Sequence, residues 1–98
     1  MHEIFYLRGF EEPWWQFDGW EKDIVSCKEF DNYEDALIYF NQMKQTLTQD
    51  FSFQKSKGEA AIAFWNREEW AFCEDCEEDM QIYHGLLWIY NKKPIESF

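Results

Sequence analysis

The stretch Asp31-Asn32-Tyr33-Glu34-Asp35-Ala36-Leu37-Ile38-Tyr39-Phe40-Asn41-Gln42-Met43-Lys44-Gln45-Thr46-Leu47-Thr48-Gln49-Asp50 decides the architecture of this chain. Asp31 or Asn32 can cap the orphan amides at its start, and Glu34 and Asp35 put negative charge in the first turn, where the helix dipole favours it. Tyr33, Ala36, Leu37, Phe40, Met43 and Leu47 recur at spacings of three and four, with Asn41, Gln42, Lys44 and Gln45 on the other side. This pattern predicts a helix over about 33–50 with one apolar face, which must be buried against another layer.

The flanking segments supply that layer. Upstream, His2 to Leu7 reads as a strand ending at Gly9, Trp14 to Phe17 as a second short strand halted by Asp18-Gly19, and Asp23 to Phe30 as a further extended piece. Downstream, Ser52 to Gly58 reads as a polar loop. Ala60 to Trp65 is an apolar run of strand length, joined through Asn66-Arg67-Glu68-Glu69 to Trp70 to Cys73 as a hairpin. Glu74 to Tyr83 opens with acidic residues, which predicts a short second helix over about 74–83, and Leu86 to Tyr90 forms the last strand. The expectation is an α+β fold: a mainly antiparallel sheet of about 4–5 strands with the long helix packed on one face. At 98 residues, the chain is read as a single domain over 1–98.

Composition narrows the function. Hydrophobic residues make up 46% and aromatic residues 21%, with Trp 6 and Phe 10, which is too rich in rings for a disordered chain. A net charge of −11 repels phosphate backbones and anionic lipid, and the lysines form no stripe, so direct nucleic-acid and membrane binding are not expected. A basic protein partner suits this charge better. The opening Met1 to Arg8 lacks the plan of a signal peptide, no apolar run is long enough to span a membrane, and the cysteine count of 3 is odd. A cytoplasmic location is the expectation.

Candidate chemistry is sparse. Cys73 and Cys76 form a C-x-x-C pair, and Cys27 and His84 are the residues that would complete a four-ligand zinc site. Cys73 also ends an apolar strand, where a thiol serves as a small hydrophobe, so no cofactor is expected and zinc stays an alternative. Redox use of the pair is disfavoured by Glu74, Asp75, Glu77 and Glu78, whose negative charge opposes a thiolate. His2 and His84 belong to no nucleophile motif, there is no phosphate-binding glycine loop, and Glu74 to Asp79 lacks calcium-loop spacing. No catalytic residue is assigned, and the chain is read as non-enzymatic. The densest unusual feature is Trp14, Trp15 and Trp20 beside Glu11, Glu12 and Asp18, which reads as a contact surface for a protein partner. Two alternatives stand beside it. One is a small-ligand pocket lined by Trp65, Trp70 and Trp88; the other is a DNA mimic whose carboxylates copy phosphates.

Glu12-Pro13-Trp14-Trp15, Asp18-Gly19-Trp20 and Ala63-Phe64-Trp65-Asn66, together with Trp70, Cys73-Glu74-Asp75-Cys76 and Tyr83-His84, resemble the pattern of the uncharacterised bacterial family called domain of unknown function 1033. The likeness covers most of the chain, although Ala71-Phe72 separates Trp70 from Cys73 where the family's tryptophan adjoins its cysteine. The resemblance implies a small cytosolic protein of low-GC Gram-positive bacteria and transfers no activity, ligand or catalytic residue.

Overall fold

A computed structural model of the chain describes residues 1–15, 19–74, 76–91 and 93–94, the last two by their backbone. In chain order it contains β1 (His2–Gly9), a one-turn 3-10 helix (Trp20–Asp23), β2 (Ile24–Phe30), α1 (Tyr33–Asp50), β3 (Phe53–Lys57), β4 (Ala61–Trp65), β5 (Trp70–Cys73), β6 (Glu78–Gln81), β7 (Tyr83–Tyr90) and β8 (Lys93–Pro94). Five strands form an antiparallel sheet in the order β2-β1-β7-β4-β3, and the short β8 adds to β7. β5 and β6 pair only with each other among the described residues and form a separate arm. The α+β class and the single long helix on an antiparallel sheet agree with the sequence reading.

The helix starts where its caps dictate. Asn32 accepts from the Asp35 amide at 2.9 Å, and the Phe51 amide closes the far end on the Leu47 carbonyl at 3.0 Å. Ala36, Phe40 and Leu47 are buried against Ile4, Ile62, Phe64, Leu86 and Trp88, with Tyr33, Leu37 and Met43 packed around them. Trp88 is wholly buried and has ring contacts with Tyr33 at 5.4 Å and Phe40 at 5.3 Å. A ring of that size contributes roughly 4–6 kcal/mol by buried area, more than any aliphatic position in this layer.

Side chains alternate across a strand, so the neighbours of these residues point to the opposite face of the sheet. There Leu7, Ala61, Leu87 and Ile89 form a second buried cluster, covered by Trp14, Trp20, Phe5 and Ile24. Pro13 is seated directly on β7: a Cβ at Gly85 would lie 2.8 Å from the proline Cβ. The sheet is therefore covered by α1 on one face and, on the other, by Pro13, Trp14 and Trp20 from between β1 and β2.

Several expectations are corrected. No second helix occupies 74–83; β6 runs antiparallel to β5 and the chain passes through Ile82 into β7. The acidic start resembles a helical first turn, but Met80 and Ile82 alternate with Gln81 and Tyr83, the strand period, and Glu77 takes a left-handed φ of 55° that ends any helical run. The expected β4–β5 hairpin is also absent. β4 lies between β3 and β7, while the Gln81 amide donates to the Asn66 carbonyl at 2.7 Å and the Glu69 carbonyl at 2.9 Å, holding the exit of β4 as β5 leaves the sheet. The polar 53–57 segment is an edge strand, where lysines are common because they discourage further pairing, and Phe53 stacks on its cross-strand partner Trp65 at 5.8 Å. Of the strand expected over 14–17, Trp14 lies in a turn with Pro13 and Trp15 is in no strand, while Gln16 and Phe17 lie outside the described residues.

Candidate functional site

The departure of the β5–β6 arm from the sheet creates two depressions. The first, about 590 Å³, is lined by residues from the end of β1, the 3-10 turn and the arm: Arg8, Glu11, Trp15, Trp20, Lys22, Asp23, Cys73, Glu74 and Cys76 among them. Its floor is shaped by Gly9, since a Cβ there would lie 2.5 Å from the Asp23 carboxylate. Burial pushes the Asp23 carboxyl above its ordinary value, with Lys22 acting in the opposite direction.

The second depression, about 550 Å³, is bordered by Phe10, Glu11, Glu12, Trp70, Glu78, Asp79 and Tyr83. Strand alternation puts Trp70 and Phe72 on the same face of β5, and they are 55% and 59% exposed. The Trp70 indole N–H donates to the Arg67 carbonyl, which orients the ring without covering it. Burial, followed by the Glu12 charge, raises the Tyr83 hydroxyl pKa. Large rings beside carboxylates can accept a cation by charge and by ring-face attraction.

Of the residues singled out from sequence, Trp14 and Trp20 are half-buried on the second sheet face, and Trp20 meets Phe5 edge-on at 5.8 Å. Trp15 is 46% exposed at the rim of the first depression, with the Lys57 ammonium 5.2 Å from its ring centroid. Glu11 borders both depressions and Glu12 the second; Asp18 lies outside the described residues. Trp65, Trp70 and Trp88 do not share a pocket: Trp88 is in the core, and Trp65 packs between Phe53 and Tyr83.

The candidate zinc ligands are divided. Cys73 and Cys76 come together with 2.8 Å between their sulfurs. Cys27 lies on β2, where its sulfur groups with the carboxylates of Glu3 and Glu29 within 4.8 Å. Partial desolvation, then Glu3 and Glu29, push the Cys27 thiol pKa up. His84 is buried, and both ring nitrogens are engaged: Nδ1 with the Tyr6 hydroxyl and Nε2 with Glu69 at 2.8 Å. Whichever nitrogen carries the proton, that network leaves neither directed at Cys73 or Cys76. Burial, then Glu69, raises the Tyr6 hydroxyl pKa.

Sequence reasoning missed the Trp70–Phe72 face and the Tyr6–His84–Glu69 chain. The first was legible once 78–83 is read with a period of two, because the alternation continues from β5 into β6. The second joins residues far apart in sequence and has no local signal.

These features define a small two-sided α+β sheet domain with an aromatic, acid-lined arm. The chain belongs to the family described as "Protein of unknown function (DUF1033)", whose model matches residues 1–97, in agreement with the motif resemblance. Comparison with curated proteins and with solved structures found no match. No helix among the described residues is long and apolar enough to cross a membrane.

Proposed function

We propose that this chain is a non-enzymatic protein-interaction module that receives a positively charged, extended segment of a partner protein along the β5–β6 arm. The observation that carries this reading is the exposure of Trp70 and Phe72 at 55% and 59%, beside a depression bordered by Glu11, Glu12, Glu78 and Asp79. Exposed large rings on one strand face supply hot-spot contacts, and the carboxylates select lysine or arginine over acidic side chains. The acidic, tryptophan-rich segment around Trp15 extends the same surface, since Glu11 borders both depressions.

Fluorescence anisotropy with arginine- and lysine-rich peptides, and with acidic peptides as controls, tests the reading. Basic peptides should bind with an affinity that falls as salt rises. Trp70→Ala combined with Phe72→Ala should weaken binding at least about tenfold, while each exposed substitution changes stability by no more than about 0.5 kcal/mol. Equal binding by the double variant, or no preference for basic peptides, would remove the support. A second reading, a small-ligand site, is favoured by the first depression, whose volume of about 590 Å³ lies in the ordinary range for such sites. A thermal-shift screen in which Trp15→Ala abolishes a response would favour it.

A further inference from the structure

Cys73 closes strand β5, and Cys76 lies three positions on, before β6 begins. The loop brings their sulfurs to 2.8 Å, about 0.8 Å beyond a covalent S–S bond of ~2.05 Å. The two thiols differ in access: Cys73 is 8% exposed, whereas Cys76 is exposed. Both line the first depression, so a reagent entering from solvent meets Cys76 first and finds Cys73 directly behind it. An accessible thiol backed by a second within bonding reach is the arrangement in which one sulfur is attacked and the other resolves the product.

We propose that Cys73 and Cys76 are a reversible dithiol–disulfide pair, oxidised by small-molecule disulfides. The acidic neighbours that oppose a thiolate slow the attack, but the approach of the two sulfurs sets the equilibrium. The Cys76 thiolate attacks one sulfur of the oxidant, forming a mixed disulfide and expelling the other half as a thiolate. The Cys73 thiolate then attacks the Cys76 sulfur, the mixed disulfide breaks, and the second half leaves. Two electrons pass from the protein dithiol to the oxidant, and the two thiol protons end on the two released thiols. The inference does not depend on the peptide-binding reading, because it concerns sulfur chemistry that proceeds with or without a partner.

The strand pairing explains why the fold itself would favour the disulfide. Cys73 is held opposite Glu78, and Phe72 opposite Asp79, so the ladder fixes both ends of the loop before the sulfurs react. In the unfolded chain the same two thiols must find each other from many conformations, and the ordering supplied by β5 and β6 is lost. Cys27 has no such geometry: it sits on the edge strand β2 grouped with Glu3 and Glu29.

The test is an equilibrium titration of the full chain, reduced and freed of metal, in mixtures of reduced glutathione and glutathione disulfide. It is run in native buffer and in urea, with acid quench, alkylation and peptide mapping. The expected product is one intramolecular Cys73–Cys76 disulfide with Cys27 alkylated throughout. Half-oxidation should persist at a reduced-glutathione excess about tenfold or more higher in native buffer than in urea. Trp15 and Trp20 line the same depression, so intrinsic fluorescence should change on oxidation of the wild type and stay constant in Cys76→Ser, whose exposed position should leave the fold intact. Identical half-points with and without urea would overturn the proposal. So would a disulfide involving Cys27, a glutathione adduct at Cys76 that is not resolved, or a metal held by the freshly purified protein that shields both thiols from alkylation.

Discussion

Replacing Gly85 by alanine tests how the second face of the sheet is closed. A Cβ at that position would lie 2.8 Å from Pro13 Cβ, 3.1 Å from Cγ and 3.3 Å from Cδ. Carbon atoms in good contact stand about 3.5–4.0 Å apart, so the proline ring must retreat by about 0.7–1.2 Å from the nearest clash. The ring is fused to its own backbone and cannot rotate away, so the loop carrying Trp14 must move with it. Overpacking of this kind costs about 1–3 kcal/mol, which in a domain of this size lowers the melting temperature by roughly 4–8 °C for each kcal/mol. Yet alanine in a strand is intrinsically better than glycine by about 0.5–1 kcal/mol, and Gly85 shows no positive φ that would oppose it. The sign should therefore reverse in a Pro13→Gly background, where Gly85→Ala should stabilise. Urea denaturation of the wild type, both single variants and the double variant measures this cycle, with an expected coupling of about 1–3 kcal/mol. Gly85→Ala destabilising equally in both backgrounds would refute the argument that Pro13 seals the face.

The other predictions concern the helix and its core. Burial, with a smaller effect of the N-terminal charge, lowers the His2 pKa below 6.5, and the ring must be neutral at Nδ1 to accept the Trp88 indole N–H at 3.1 Å. A lowered histidine pKa means full stability above the unfolded value and progressive loss as pH falls through 6.5 toward the folded value. The unfolding free energy from urea denaturation should fall on acidification by at most about 1.4 kcal/mol per pH unit from this group, and His2→Gln, which keeps an acceptor, should flatten that part of the profile. Asn32→Ala should cost about 0.5–2 kcal/mol, read by circular dichroism during urea unfolding, because it removes the acceptor that satisfies the Asp35 amide.

The elements legible from sequence are those with a dominant local signal. The helix over 33–50 coincides with Tyr33–Asp50 because its cap and its apolar period reinforce each other. β3 was hidden because Gln54, Lys55, Ser56 and Lys57 are solvated on an edge, and a polar edge strand and a polar loop have the same composition. β6 reads as a helix start because acidic residues at 74–79 suit both a dipole and an exposed arm. At the candidate site, Glu11 and Trp15 were legible as a ring-and-carboxylate cluster. Trp70, Phe72, Glu78 and Asp79 join the surface only through the pairing of β5 with β6, which depends on where the chain leaves the sheet.

The sheet order has a consequence for how the molecule is made. β1 lies between β2 and β7, and its first residue, His2, pairs with Tyr90. Closing that pairing joins segments from opposite ends of the sequence, the kind of contact that slows folding most. A nascent chain can form α1 and pair β1 with β2 while residues 83–90 are still being translated. Until those residues arrive, Ile4 and Phe40 lack Trp88, and the centre of the sheet has an open slot beside β1. Folding of this domain is therefore completed only when β7 is inserted between β1 and β4.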